Sequence, residues 1–450
     1  MRRRRTAILL ALAVLAGVLA AAELSAAGSA GEARSRAPTY YQRVKPILDA
    51  RCASCHSVGG IGPFPLRTYV QARRHRAEIA AAVGTRVMPP WRADRGYRSY
   101  LGDPSLSRAQ ISAIARWAAG GGPRGNPSAP GEPLPPVGGG LTRADVRLAL
   151  PSYTPRRSSG RDDYRCFVLD WPDRARYVTG FDVSPGERRE VHHMIVYVAA
   201  PADAATVDGW DTRDPAPGYG CYGGPSATGA RTIPVRLLAG WAPGSSGSDL
   251  PEGTGTLVEP GSRLIVQIHY NLESTAPRPD RSVVALKVDD SVEKRGIYAP
   301  VVDLGWLISP QTFRIPAGKR VTHSWSGDPR PMLRLLGSDL HLQDGFVISS
   351  VLLHMHRLGQ RGRVVLVRAS GKREVLLSIS DWEFNWQRDY RLAVPVRFRN
   401  GDQLSIRCEH DNTRANQPLR NGRRPAPRTR TWGENSSDEM CIGFVYVSEP

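Results

Sequence analysis

The chain reads as multidomain, a small all-α domain followed by two all-β sandwich (jelly-roll) domains. Within 38–122 apolar residues recur at helical spacing, 123–145 is rich in Pro and Gly, and beyond it the hydrophobic period changes to two. At 450 residues there is room for two to four domains, each burying its own core.

Taken in order, residues 1–27 read as a signal peptide. Arg2 to Arg5 form a basic n-region, 7–22 an apolar stretch, and Ser25-Ala26-Ala27 or Gly28-Ser29-Ala30 a small-residue cleavage site. The stretch is short for a membrane span, which takes about 20 residues. No other charge-free segment comes near that length, so a soluble periplasmic or secreted protein is expected after cleavage, with no stable membrane span. The helical region 38–122 has a run over 66–83 stopped by Gly84, and a capping box of Ser107 and Gln110 opening a helix that ends at Gly120. The linker 123–145 follows. Short β-branched segments at 194–198, 264–268, 347–353 and 363–367, bounded by turn residues, then predict sandwiches over 146–295 and 296–450, with the boundary around 292–300.

The formal charge is +19, which by itself invites a nucleic-acid or anionic partner. The Arg residues are scattered among Pro and Gly, as in 420–430, with no aromatic-interleaved patch, so nucleic acid is excluded as the expected partner. An acidic redox partner remains compatible with the charge. Of six cysteines two fall in one short motif, leaving Cys166, Cys221, Cys408 and Cys441 for disulfides in an exported protein. Counting alone allows three pairings, and proximity favours Cys166 with Cys221 and Cys408 with Cys441.

That short motif is Cys52-Ala53-Ser54-Cys55-His56, a C-x-x-C-H haem attachment sequence. Two thiols suit thioether bonds to haem vinyls and His56 suits the proximal iron position, which makes 38–122 a cytochrome c-like haem domain. Met88, between a helix stop and Pro89-Pro90, is the expected distal ligand, because a thioether raises the potential of an electron carrier. His75 competes, but it stands between Arg74 and Arg76 on a face that reads as wet.

Five further histidines lie in strand-like settings: His192-His193, His269, and His354 with His356. Neighbours on a strand face opposite ways, so His192 and His193 can share a metal only if a bend or bulge turns both inward. His354 and His356, two apart, share a face without distortion. With the soft sulfur of Met440 these residues suit copper, since imidazole serves both oxidation states and a thioether favours Cu(I). His323, His341 and His410 have no assigned partner and read as surface or hydrogen-bonded. The alternation Trp382, Phe384, Trp386 puts three aromatics on one strand face, read as sandwich core.

Tyr164-Arg165-Cys166, Val191-His192-His193-Met194, Gln267-Ile268-His269-Tyr270, His354-Met355-His356-Arg357-Leu358-Gly359 and Ser436-Ser437-Asp438-Glu439-Met440-Cys441 resemble, in order, the successive signatures of the copper type II, ascorbate-dependent monooxygenases. The resemblance implies two copper ions. One would lie on His192, His193 and His269 as an electron reservoir, the other on His354, His356 and Met440, where dioxygen and substrate react. It implies that the sites are separate across a solvent-filled cleft, makes Gln267 the electron-transfer candidate, and matches both disulfide pairings. Relatives take electrons from ascorbate; here the haem is expected to deliver them from a cytochrome, a quinol pathway or an ascorbate-like reductant. Where the peptide-amidating branch has Arg, Asn and Tyr to hold a peptide carboxylate, this chain has Leu352, Ile442 and Phe444. The expected function is therefore C–H hydroxylation of a neutral or hydrophobic organic substrate with O2. The alternative is a non-catalytic electron-transfer or copper-binding protein on the same scaffold.

Overall fold

The computed structural model describes residues 38–450, apart from 59, 61, 136, 138–139, 158–161, 172–173, 243–246, 273–275 and 420–421. The signal expected at 1–27 lies outside the described residues. The chain divides into two compact units. One holds the described residues up to Asp49 with Leu66–Thr85 and Leu106–Leu134; the other holds Ala50–Pro65, Arg86–Ser105 and Pro135–Pro450.

The first unit is helical. Thr68 and Gln71 close one capping box and Ser107 and Gln110 another, so both helix starts satisfy their free amides reciprocally. The run expected over 66–83 is two helices, Tyr69–Arg74 and Arg76–Gly84, because His75 leaves the helical region at φ −103°, ψ 21°. Ala72, Ile79 and Val83 are all buried, as their spacing predicts. The helix Arg108–Ala119 ends at Gly120 and buries Ile114 and Trp117, whose indole N–H donates to Pro123 O at 3.1 Å. The start of the Pro/Gly stretch is tied down here: the Gln42 amide donates to Asn126 O and Ala129 O, each at 2.7 Å.

The second unit holds the strands. Those of the N-terminal sandwich are β1 (Val146–Ala149), β2 (Asp162–Asp170), β3 (Arg176–Ser184), β4 (Val191–Ala199), β5 (Tyr219–Gly220), β6 (Val235–Trp241), β7 (Ser248–Asp249), β8 (Thr254–Val258), β9 (Arg263–Asn271) and β10 (Val283–Asp289). The C-terminal sandwich has β11 (Lys294–Val301), β12 (Arg314–Ile315), β13 (Arg320–Gly327), β14 (Phe346–His354), β15 (Gly359–Val367), β16 (Arg373–Ile379), β17 (Tyr390–Phe398), β18 (Gln403–Asp411), β19 (Arg430–Thr431) and β20 (Ile442–Ser448).

In the first sandwich the run β1-β10-β3-β8 and the run β6-β4-β9-β2-β5 enclose a core that includes Phe167, Val178, Val196, Ile268 and Leu286. In the second, β20 with β14 and β17 packs against β13-β18-β15-β16 around Phe346, Val351, Leu353, Val364 and Ile406. The expected boundary at 292–300 falls on β11, and the sheet does not break there. β11 pairs antiparallel with β20 from Gly296↔Ser448 to Val301↔Gly443, meets β6 at Tyr298↔Leu237, and runs parallel to β8 at Lys294↔Thr254. Both disulfides join the partners that proximity favours, Cys166–Cys221 and Cys408–Cys441.

Two short segments from before residue 106 belong to this unit. Arg86–Ser105 is a strap on the C-terminal sandwich. Asp94 N donates to Ser378 O at 2.7 Å, and its carboxylate accepts from Ser378 Oγ at 2.7 Å and Ser380 Oγ at 2.6 Å. Tyr100 Oη donates to Leu376 O at 2.8 Å, and the Trp91 ring meets Tyr390 edge-on at 4.9 Å. Ala50–Pro65 includes the tight turn of the two thiols at 52–56, with His56 N donating to Cys52 O at 2.9 Å.

The segment of Trp382, Phe384 and Trp386 is a loop between β16 and β17, not the strand that the alternation predicts. His341 is exposed, whereas His410 is buried on β18. His323, on β13 opposite Cys408, stacks on Phe313 with centroids 3.8 Å apart, and burial pushes its imidazole down to about 4.

An unfolded histidine takes up its proton near pH 6.5, before the packed one does, so the unfolded chain binds more protons between these values. The stability that His323 contributes is thus fully present above about pH 6.5 and is lost as pH falls towards about 4. Urea unfolding of His323→Phe should accordingly lose less stability on acidification than the native chain; parallel pH profiles would refute this. Asp94→Ala should cost about 1–3 kcal/mol of local stability. Its signature is faster amide exchange confined to 86–105, and unchanged exchange there would show that the carboxylate does not hold the strap.

Candidate metal centre

The first cluster depends on an irregularity in one strand. On regular β4, His192 and His193 would face opposite ways. The ladder with β9 slips between Val191, opposite Tyr270, and His193, opposite His269, which leaves His192 as the extra residue of a bulge. Both rings thereby reach the same side as His269. The two Nδ1 atoms of His192 and His193 are 3.3 Å apart, and one nitrogen from each of the three residues lies within 4.8 Å of the others.

His269 is oriented from behind. Its Nε2 lies 2.8 Å from Asp162 Oδ1, its ring stacks on Tyr164 with centroids 4.3 Å apart, and its Nδ1 has no hydrogen-bond partner. A proton held on Nε2 by the carboxylate leaves the Nδ1 lone pair for a metal, the usual outer support of a ligating imidazole. Asp162 is in turn held by Ser436 Oγ at 2.9 Å. Burial, with the neighbouring imidazoles adding to it, keeps His192 and His193 well below the usual histidine range, so both stay neutral. Three neutral nitrogens form a donor set suited to a copper ion.

The second cluster sits where β14 runs out. His354 is its last residue and His356 lies just beyond, with ring centroids 5.0 Å apart and nearly perpendicular. His354 Nδ1 bonds to Gln387 Oε1 and His356 Nδ1 to Asp438 O at 3.2 Å, which leaves both Nε2 atoms for other use. Burial pushes His354 down to about 4. His354 pairs with Ile442 on β20, and two residues further along each chain come His356 and Met440. Met440 is buried, and Glu439 clasps the two segments together. Its carboxylate accepts from His356 N at 3.0 Å, Leu358 N at 2.5 Å and Met440 N at 3.4 Å, and burial pushes it up to about 8. His410 Nε2 lies 3.1 Å from Met440 O, and Cys441 is bonded to Cys408, so the backbone of Met440 is fixed from both sides. Two imidazoles beside a thioether are a softer donor set than the first.

One phenyl ring lies between the clusters. Phe384 stacks on His192 with centroids 4.6 Å apart and meets His356 edge-on at 5.8 Å, while the Arg357 guanidinium lies 5.4 Å from its face. The family resemblance implies a solvent-filled cleft between the sites; here Phe384 contacts one histidine of each cluster. Trp382 donates from Nε1 to His356 O at 2.9 Å, so two of the three alternating aromatics serve the clusters directly. The alternation is visible in the sequence, but it carries no sign that the segment is a loop. Gln267 is buried on β9, where its amide donates to Cys221 O at 3.0 Å and Gly224 O at 2.8 Å.

The thiols of Cys52 and Cys55 are free, and burial pushes that of Cys52 up to about 12. His56 Nδ1 lies 2.9 Å from Phe64 O, an arrangement that leaves Nε2 for a further partner. A Cβ at Gly62 would fall 2.7 Å from that Nδ1, so only glycine fits against the ring. Cys52, Cys55, His56 and Met88 all line a cavity of about 570 Å³, a size in the range of cofactor sites. His75 does not: it belongs to the helical unit, with Nδ1 3.5 Å from Glu78.

Residues 336–449 match the domain family described as copper type II ascorbate-dependent monooxygenase, C-terminal domain. DBH-like monooxygenase protein 2 of Mus musculus is 26% identical over 297 residues, 63% of this chain and 42% of that protein. Putative DBH-like monooxygenase protein 2 of Homo sapiens is 24% identical over 272 residues, 57% of this chain and 46% of that protein. The chain thus spans less than half the length of either relative. Among solved structures, the major capsid protein P2 of bacteriophage PM2 aligns at TM-score 0.24 and 8% identity, over 68% of this chain and 97% of that one, too distant to bear on the fold. Residues 336–449, with the segment of His354, His356 and Met440 inside them, are thus similar to the C-terminal domain of the copper type II ascorbate-dependent monooxygenases.

Proposed function

We propose that the chain is an exported copper-dependent monooxygenase, fed with electrons through a covalently bound haem c, that hydroxylates a C–H bond of a neutral or hydrophobic substrate. The observation that carries this reading is the convergence of His192, His193 and His269 within 4.8 Å, in a fold that also carries the family's C-terminal domain. Copper held by these residues, and by His354, His356 and Met440, would supply one-electron redox chemistry and dioxygen activation. The overall change is RH + O2 + two electrons + two protons to ROH + water.

The side chains divide the work. Asp162 and Tyr164 fix the ring of His269, the bulge turns His192 toward it, and Glu439 holds the backbone of His356 and Met440 in one place. Cys52 and Cys55 would carry the haem by thioether bonds and His56 and Met88 would hold its iron, which would supply one-electron transfer. The hydrogen bond of His56 to Phe64 O and the shared cavity support that assignment.

The surface beside His354 supports the substrate class. Val351 and Leu353 of β14 turn into the C-terminal core, so Leu352 shares the other face with His354. Across the ladder Leu352 pairs with Phe444 and His354 with Ile442, which places an apolar strip next to the metal ligands. An apolar wall offers nothing to a carboxylate and favours a neutral ligand. For the compartment, two disulfides fit an oxidising environment outside the cytoplasm, periplasmic or secreted. Among the described residues no helix is long and apolar enough to cross a membrane.

Copper-loaded, haem-bearing protein supplied with an ascorbate-like reductant should consume O2 only when a suitable hydrophobic compound is present, and the product should gain one oxygen atom by mass spectrometry. Full copper loading with no coupled uptake across a broad panel would sink the oxygenase reading. Met440→Leu, which keeps the volume, should leave the fold intact while turnover drops by at least about 100-fold, since losing a ligand costs no less than losing a ligand's outer support. Leu352→Arg should raise KM for a neutral substrate about tenfold, equivalent to 1.4 kcal/mol. An unchanged KM would remove Leu352 from the substrate surface.

A further inference from the structure

The cavity that collects Cys52, Cys55, His56 and Met88 is lined as well by His192, Phe384 and Trp386. All of these residues lie in the one compact unit that contains the sandwiches. The attachment turn and the Met88 loop are therefore part of the same packed body as the metal ligands. Asp94, Trp91 and Tyr100 fasten the Met88 strap to β16 and β17, and Arg51 donates to Pro135 O at 2.7 Å beside the thiols. His192 is thus the member of the three-histidine cluster that borders the space a haem attached to Cys52 and Cys55 would fill. Neither His193, His269 nor Gln267 lines that space. The Gln267 amide is occupied in holding Cys221 and Gly224.

Resting on the reading of a covalent haem and of copper at the three histidines, we infer that the cavity is an intramolecular electron-transfer junction, with His192 as the ligand through which the haem reduces the first copper. Ferrous haem gives one electron and becomes ferric, Cu(II) takes it and becomes Cu(I), and no proton moves. The haem is then reduced again by a one-electron donor of the ascorbate or cytochrome class. Phe384 extends the same contact toward the second cluster, since its ring touches both His192 and His356. On the cavity wall Arg188 and Arg357 stand beside Glu190 and an Arg189 already held by Glu187, and the two former supply positive charge suited to the carboxylates of a haem.

The test uses the full chain carrying ferric haem and Cu(II). A pulse of reducing radical should deliver an electron to the haem, and the ferrous absorption band should then decay completely as the Cu(II) resonance is lost in equal amount. Because both centres share one body, the rate constant should stay the same over about a tenfold range of protein concentration, whereas exchange between molecules would scale with it. The copper resonance should also saturate at higher microwave power when ferric haem is present than in the Cys52→Ala/Cys55→Ala variant. Should that variant fail to fold, the concentration series still decides. A rate that scales with concentration, or a ferrous haem that persists beside Cu(II), overturns the junction while leaving the haem and copper readings standing. A chain whose mass shows no covalent haem overturns the haem reading and the junction together.

Discussion

One extra residue in β4 is the constraint on which the cluster of His192, His193 and His269 depends. A strand of perfect period two would send His192 and His193 to opposite faces, one into the sandwich core and one out. The slip between Val191 and His193 cancels that alternation at a single point, so two consecutive side chains join His269 from the neighbouring strand. The long ladder of β4 with β9, from Val191 to Ala199, keeps the slip in register on its far side. The same bulge brings His192 against Phe384 and the cavity wall, so the geometry of the cluster and its connection to other groups have a common origin.

The second cluster is held differently, by buried polar groups rather than by strand geometry. Glu439 is fully buried and accepts three backbone amides, from His356, Leu358 and Met440. Satisfied in this way, a carboxyl in a low-dielectric interior becomes a rigid clasp; unsatisfied, it would be costly. Asp162 has the corresponding role for His269, and its link to Ser436 reaches the segment that precedes Glu439. The two clusters therefore share an outer network through 434–441 as well as the phenyl ring of Phe384.

Much of this was legible in the sequence, and what was not has physical causes. The strands, the capping boxes and the pairing of the four late cysteines follow from periodicity, local side-chain reach and chain distance, all properties of short segments. The need for a bulge at His192 could be stated because strand alternation is strict. The position of Phe384 could not, since whether Trp382, Phe384 and Trp386 form a strand or a loop is decided by how β16 and β17 pair and not by the three residues themselves. The placement of the Cys52 turn and the Met88 strap with the sandwiches rather than with the neighbouring helices was equally hidden, because it rests on contacts such as Asp94 with Ser378 that span nearly three hundred residues. His410 needed its tertiary setting too, as nothing beside it in the chain announces a bond to Met440 O.

β11 carries a consequence for motion. A strand that is hydrogen-bonded to β20 on one side and touches β6 and β8 on the other belongs to both sandwiches at once, so they cannot hinge apart without tearing a ladder. Any relative movement of the two histidine clusters is then confined to local segments such as the loop of Phe384, which move faster than whole domains. In such a molecule thermal melting should take both halves down as one cooperative block.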